Sequence, residues 1–189
     1  MIVKEVRKLK TNYQVEFQNG YKLTIDEDTL VQYRLRPGIE VESVEVLQKE
    51  MEKHKLLNKA IKFASYGKSE NQVIKYLNEQ GMHNTYDAIM TLKKMRIIDD
   101  YKMIRGLQNK GYSYLQLEEK LKFYQFEQKD IDYALENYNE RIPLYKQFKL
   151  ALKKYEKETD YKKKQQKIYR YLMSKGFNED SVMSVMNIS

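Results

Sequence analysis

Three stretches of the chain can be laid over one another: SENQVIKYLNEQGMHNTYDAIMTL from Ser69 to Leu92, SYLQLEEKLKFYQFEQKDIDYAL from Ser113 to Leu135, and KQQKIYRYLMSKGFNEDSVMSVM from Lys164 to Met186. Anchored on Leu77, Leu121 and Leu172, they share an apolar residue four positions earlier (Val73, Leu117, Ile168) and another five positions later (Met82, Phe126, Phe177). Ile131 and Ala134, then Val182 and Val185, follow ten and thirteen residues after the second and third anchors. The first stretch supplies Ala88, Ile89 and Leu92 there, after a one-residue insertion near His83. Spacings of three and four place residues on one helix face, so each stretch reads as helix, short break, helix. Gly81 and Gly176 stand at the break, where a helix end takes a left-handed residue; Gln125 fills that place in the second stretch. A further helix is expected before each pair, over residues 44–65, 101–109 and 141–157.

The expected fold is therefore mainly α: three tandem three-helix repeats in an elongated, curved array. Repeat 1 is expected over 43–98, repeat 2 over 99–140 and repeat 3 over 141–189, with a small β-hairpin extension over 1–42. In that extension Tyr13, Val15 and Phe17 alternate with polar residues, as do Tyr21, Leu23 and Ile25. Parity decides the loop between them. A two-residue Asn19-Gly20 loop would put the two apolar sets on opposite faces. A three-residue loop, Gln18-Asn19-Gly20, pairs Phe17 with Tyr21, Val15 with Leu23 and Tyr13 with Ile25, and needs Gly20 left-handed. Val3 to Leu9 offers a third strand, Asp26 to Leu35 a short helix, Pro37-Gly38 a turn, and Ser43 the N-cap of the first long helix.

The chain has 189 residues, 35 basic and 27 acidic side chains, and no Cys, which excludes disulfides and thiolate metal sites and fits a reducing cytoplasm. MIVKEVRKLK lacks the apolar core of a signal peptide, and no apolar run is long enough to span a bilayer. Net charge is +8, and residues 141–189, with 12 basic and 5 acidic side chains, carry nearly all of it. Such asymmetry points that end of the chain at a polyanion or an acidic partner.

Most motifs that suggest chemistry have a structural reading. Asp99-Asp100 follows an apolar helix end and opens the next helix, so one of the two is expected to be an N-cap. His54 and His83 have no second ligand at metal spacing and are expected to be exposed. Gly67-Lys68-Ser69 lacks the upstream glycine of a phosphate loop, its place being taken by Lys62 inside a helix; Ser69 and Ser113 read as caps of the middle helices. Tyr155, Tyr169 and Tyr171 have the aromatic–basic mixing that stacks on single-stranded nucleic acid, but tyrosines at helical spacing half-bury against neighbouring helices. No catalytic constellation, cofactor site or metal site is expected.

The punctuation of the helices resembles the RecX family. Its pattern runs through a basic turn with serine (Tyr66-Gly67-Lys68-Ser69), a first helix stop (Asn78-Glu79-Gln80-Gly81), an apolar-Asp-Asp step (Ile97-Ile98-Asp99-Asp100) and a second Lys-Gly (Lys110-Gly111-Tyr112-Ser113). The likeness is good over about residues 45–140 and continues by pattern into the third repeat. It departs from the family at Lys68, where arginine is usual, and at Met103-Ile104, where Phe-Ala is usual. Lysine offers a point charge in place of a bidentate guanidinium. The resemblance implies a cytoplasmic, non-catalytic, monomeric regulator that binds the RecA filament on DNA and inhibits its recombinase, ATPase and co-protease activities, with single- or double-stranded DNA as the second partner. A helical DNA-binding protein with no recombinase partner is the alternative.

The residues expected to meet the partner are the lysines of the two Gly-adjacent turns, Lys68 and Lys110, and the basic faces of repeat 3. On the first of its helices Lys146, Lys149, Lys153 and Lys157 form a stripe about 100° from an apolar one, Tyr145, Phe148, Leu152 and Tyr155. On the next, Lys163, Lys167 and Arg170 share a face, with Lys164 adjoining, while Ile168, Tyr171 and Leu172 point inward.

Overall fold

Gly20, at φ +84°, makes the left-handed step that a three-residue hairpin loop needs. The register follows from it. Tyr13 pairs with Ile25 and Val15 with Leu23, and the Phe17 amide donates to the Tyr21 carbonyl at 2.9 Å. Strand β1 (Val3–Lys8) joins β2 (Tyr13–Phe17) and β3 (Lys22–Ile25) in an antiparallel sheet of order β1-β2-β3, so the hairpin is extended to three strands. One face buries Val3, Val15, Phe17, Leu23 and Ile25, each large side chain contributing roughly 1.5–3 kcal/mol. Helix α1 (Glu27–Gln32) is capped by Asp26, which accepts from the Thr29 amide at 2.7 Å. The chain then returns along the outer edge of β1: the Val3 amide donates to Ile39 O, and the Gly38 amide to Val3 O, both at 2.9 Å. That cover removes an open strand edge. Leu35, Val41, Val44 and Leu47 complete this core.

The computed structural model describes residues 1–187; the last two residues of the expected third repeat lie outside them. After the sheet, every regular element is helical. Helix α2 (Val44–Ala64), capped by Ser43, leads the first triplet with α3 (Glu70–Glu79) and α4 (Tyr86–Lys94). The second is α5 (Asp100–Gln108), α6 (Tyr114–Phe123) and α7 (Gln128–Glu136). The third is α8 (Arg141–Lys154), α9 (Tyr161–Ser174) and α10 (Glu179–Asn187). The fold is mainly helical with a small N-terminal sheet, as the repeats imply.

The backbone shows the repeats to be equivalent at their breaks. The residue four places after each anchor is left-handed in all three: Gly81 at φ +87°, Gln125 at +60° and Gly176 at +75°. In the first two the next amide returns to the anchor carbonyl, Met82 N to Leu77 O at 3.0 Å and Phe126 N to Leu121 O at 3.2 Å, while in the third the Lys175 amide donates to Leu172 O at 3.0 Å. Leu77, Leu121 and Leu172 are all fully buried. Ten places before the anchors, Gly67 (φ +72°) and Gly111 (φ +76°) separate the leading helix from the middle one.

In the third triplet that separation has moved. Its equivalent position is Lys162, inside α9, which starts at Tyr161 with Asp160 accepting from the Lys163 amide at 3.1 Å. The link must therefore lie further upstream. Helix α8 stops at Lys154, with Tyr155 as C-cap, rather than running to residue 157. Lys157 thus leaves the expected lysine stripe and sits, exposed, in the connection. Tyr145 also departs from the expected apolar stripe: it is 52% exposed, while Leu144, Phe148 and Ala151 are the residues of α8 that enter the core. Periodicity fixes a face only to within one residue, and Leu144 wins the inward position from its neighbour.

The chain divides into two compact units. One comprises residues 1–66 with 74–92, and holds the sheet core and the buried Ala60, Ala64, Leu77, Ala88, Ile89 and Leu92. The other comprises residues 67–73 with the chain from Lys93 onward, and holds two apolar cores. The second triplet gathers Leu107, Leu117, Leu121, Phe126, Ile131, Ala134 and Leu135; the third gathers Leu144, Phe148, Ala151, Ile168, Leu172, Phe177 and Val182.

Candidate functional site

Ser69 and Ser113 are two of the three buried polar residues among those described, each fully buried. Both cap their helices. Ser69 Oγ accepts from the Gln72 amide at 3.2 Å, and Gln72 Oε1 accepts from the Ser69 amide at 3.3 Å, a reciprocal capping box. Ser113 Oγ accepts from the Gln116 amide at 3.2 Å. The reason for their burial is non-local. The Ser69 hydroxyl donates to the Tyr124 carbonyl, Asn71 Nδ2 donates to Gln125 O at 2.8 Å, and Gln72 Nε2 donates to Phe123 O at 3.3 Å. The head of α3 is thereby stitched to the break of the second triplet, whose last carbonyls have no partner within their own helix.

One triplet on, Ser113 again faces the break of the next triplet. A side-chain carbon added at Gly176, in the break of the third triplet, would meet Ser113 Oγ at 3.0 Å and Leu115 at 3.6 Å. An acid at the start of the following triplet completes each joint. Asp100 accepts from the Glu70 amide at 3.0 Å, and Glu140 accepts from the Tyr114 amide at 2.6 Å. The paired carboxylates thus divide their work: Asp99 caps its own helix through the Lys102 amide at 2.9 Å, and Asp100 caps α3. The serine caps are readable from sequence as Ser-x-x-Gln. Asn71 and the destinations of these donors are not, because the acceptors lie more than 50 residues away.

Two predictions follow from the joints. Burial pushes the Asp100 carboxyl above its ordinary value; the neighbouring Glu70 and Asp130 carboxylates push the same way, against the Glu70 amide and Lys93. A raised carboxyl binds its proton more tightly folded than unfolded, so its charged form costs stability at neutral pH, and the cost disappears as pH falls below the unfolded value. Asp100→Asn keeps an oxygen for the Glu70 amide and is expected to melt a few degrees higher than the parent at pH 7, the gap closing toward pH 4 in thermal scans. Gly176→Ala is expected to cost about 2–3 kcal/mol in urea titrations, combining left-handed strain with the clash at Ser113. Gly81→Ala, with nothing within 4 Å, is expected to cost only about 1 kcal/mol.

The basic residues are brought together in part. Lys149 and Lys153 of α8 and Lys164 of α9 line one depression of about 490 Å³, with Leu152 and a single acid, Glu156. Lys149 also lies 4.6 Å from the exposed Tyr145 ring centroid, a cation–π contact. Two expected contact residues are instead paired nearby: Lys167 with Glu158 at 2.5 Å and Lys163 with Asp160 at 3.9 Å. Lys146, Arg170 and Lys110 are exposed, and Lys68 is half-buried beside Ser69. Tyr155, Tyr169 and Tyr171 half-bury against the third core; Tyr171 donates to Gln147 at 2.8 Å and Tyr169 to Glu179 at 2.6 Å.

His54 is not exposed as expected. Its Nδ1 lies 3.3 Å from Asp26 Oδ1 and 3.2 Å from Thr29 Oγ1, tying α2 to the cap of α1. Burial pushes the Asp26 carboxyl up, but hydrogen bonds from Thr29 and the His54 contact outweigh it and hold the group below its ordinary value. His83 is exposed, in the turn before α4. Among the described residues no group of three or more His, Cys, Asp or Glu is placed to hold a metal, and no helix is long and apolar enough to cross a membrane.

Helix triplets in which a carboxylate accepts from the amide after each buried serine cap, the last triplet being lysine-rich, define a helical-repeat protein with a basic terminal module. Residues 148–186 match the family model described as RecX, third three-helix domain. The regulatory protein RecX of Staphylococcus saprophyticus is 28% identical over 195 residues, spanning 96% of this chain and 71% of that protein. That of Staphylococcus aureus is 27% identical over 194 residues with the same coverage. A crystal structure of regulatory protein RecX has the same fold, with TM-score 0.67 over 98% of both chains at 19% identity. RecX from Lactobacillus salivarius gives 0.57 over 72% of this chain and 95% of that one, at 21% identity. The chain is similar to RecX proteins along nearly its whole length, and the relatives it matches are named regulatory proteins.

Proposed function

We propose that this protein regulates the RecA recombinase: it binds RecA filaments on DNA, opposes their growth, and so lowers strand exchange, ATP turnover and co-protease activity without doing chemistry itself. It acts as a cytoplasmic monomer, with repeats over 43–98, 99–140 and 141–189 and the sheet extension over 1–42. The observation that carries this reading, beside the family, is the meeting of Lys149, Lys153 and Lys164 around one depression with a single acid at its rim. Three ammonium groups held together repel one another, and an anionic partner relieves that repulsion. Lys146 and Arg170 extend the surface along α8 and α9; Lys157, Lys163 and Lys167 border it, and Lys68 and Lys110 add charge at the heads of the middle helices.

The test is the rate of RecA-dependent ATP hydrolysis on single-stranded DNA as the protein is titrated in, beside retention of the protein on RecA, on DNA and on the RecA–DNA filament. A falling rate and retention on the filament above that on DNA alone support the reading. Equal retention on DNA alone and on the filament, with an unchanged rate, supports instead a helical DNA-binding protein that needs no recombinase.

A further inference from the structure

We infer that the leading helices of the second and third triplets each carry a base-stacking site for single-stranded nucleic acid, built on Tyr101 with Arg105 and on Tyr145 with Lys149. This rests on the proposed action at DNA-bound filaments and adds a direct contact with the bases. One short pattern recurs on the two helices: Tyr101-Lys102-Met103-Ile104-Arg105 in α5 and Tyr145-Lys146-Gln147-Phe148-Lys149 in α8, 44 residues apart. The same offset carries Ile104 to Phe148 and Leu107 to Ala151, which pack into the two apolar cores, so the helices present equivalent faces. The first, second and fifth residues of each pattern face solvent. Tyr101 is 62% and Tyr145 52% exposed, and Lys102, Arg105, Lys146 and Lys149 are exposed beside them. In both, the fifth residue lies against the ring of the first: Arg105 Cζ is 5.6 Å from the Tyr101 centroid and Lys149 Nζ 4.6 Å from that of Tyr145. Core packing does not account for such a pair, because neither ring enters a core.

Charge and ring together select the occupant. Helix α8 carries Arg141, Lys146, Lys149, Lys153 and Lys154 and no carboxylate. Helix α5 carries Lys102 and Arg105 against Asp100, which is engaged with the Glu70 amide. Asp99 and Glu140, at the two helix starts, accept from the Lys102 and Tyr114 amides. Glu156 shares the depression beside Lys149 with three lysines. Among the described residues none of Lys102, Arg105, Lys146 and Lys149 is ion-paired to a carboxylate. Tyr133 of α7 is the contrast: it is 61% exposed, but its helix carries Asp130, Asp132 and Glu136 against Lys129 alone. A tyrosine ring with a cation on one face offers the other to a flat π-bearing group, and the cations meet the phosphates that a stacked base brings with it. An acidic protein surface would satisfy the cations and leave the rings unused. A duplex would do the same, its bases being stacked on one another. An unpaired strand satisfies both.

The chain has 17 Tyr and no Trp, so its own emission reports stacking on tyrosine. The full chain, without RecA, is titrated with an oligothymidylate and with an abasic strand of the same length. The expected result is quenched tyrosine emission and at least about fivefold tighter binding to the strand that has bases. Tyr101→Leu and Tyr145→Leu are each expected to weaken oligothymidylate binding about fivefold or more and to leave the abasic strand's affinity unchanged. Tyr101→Phe and Tyr145→Phe, which keep the ring, hold the parent's affinity, and Tyr133→Leu changes neither strand. Equal affinity of the parent for the two strands overturns the inference, as do leucine variants that lose both strands alike or neither. Loss of binding to RecA alone in the leucine variants, with strand binding intact, also overturns it and makes the pairs a protein contact. RecA-dependent ATP hydrolysis is measured separately: if it is unchanged by the protein while base-dependent binding persists, the regulatory reading fails and this one stands.

Discussion

Reversing Lys149, Lys153 and Lys164 together to glutamate is expected to weaken binding to RecA–DNA filaments about a hundredfold at moderate salt, with the far-ultraviolet circular dichroism unchanged. Lys149 and Lys153 are exposed and Lys164 is half-buried, and among the described residues none of the three is ion-paired to a carboxylate. The loss is electrostatic: six units of charge change at one surface, acting through solvent and screened over about 8–10 Å at physiological salt. Where a lysine meets a phosphate, its removal lowers the salt slope of binding by about one, so the triple variant is expected to show a slope shallower by up to about three. The control is Lys163 with Lys167, each beside an acid that already holds it; the same reversal there is expected to cost less. Equal losses in the two sets, or unaltered affinity in the first, would show that the depression is not the contact.

The second large effect concerns the joint at the head of α3. Ser69→Ala is expected to destabilise the fold by about 2–4 kcal/mol. Loss of the cap contributes about 1 kcal/mol, and the partly buried carbonyl of Tyr124 left without its donor contributes about 1–3 kcal/mol. Against a typical domain stability of roughly 5–15 kcal/mol that is a large fraction. Ser65→Ala is the control: its exposed hydroxyl reaches only the Lys62 carbonyl at 2.8 Å, and a change within about 0.5 kcal/mol is expected. Urea midpoints measure both. Hydrogen exchange should localise the first effect to residues 69–73 and 123–125, because those backbones share the joint. A Ser69→Ala midpoint shift no larger than that of Ser65→Ala would mean that the hydroxyl is replaceable by solvent.

Much of the candidate site was readable before any coordinates. The lysine excess of residues 141–189 is a matter of counting, and the caps at Ser43, Ser69 and Ser113 follow from residue type beside an apolar run, whereas the choice between Asp99 and Asp100 stayed open. Which lysines meet was not readable. Lys149 and Lys164 lie on different helices, and the length of the link between those helices decides whether their faces adjoin. The expected end of α8 at residue 157 missed by one turn for the same reason: the third triplet moved its break upstream, and no local signal at Lys157 announces it. His54 read as a solvent-facing residue because its partners, Asp26 and Thr29, belong to another element.

The sequence alone determined everything that rests on contacts within about one turn: the hairpin parity around Gly20, the left-handed steps at Gly81 and Gly176, the serine caps, and the buried anchors Leu77, Leu121 and Leu172. Those choices compare conformations of a few adjacent residues, and residue type settles them. Only the tertiary structure decided where the spare hydrogen-bonding groups go: the Ser69 hydroxyl to Tyr124, the Glu70 amide to Asp100, the Tyr114 amide to Glu140. A helix end announces that it has orphan donors or acceptors, but what satisfies them depends on which surface packing brings close, and that is a property of the folded chain as a whole.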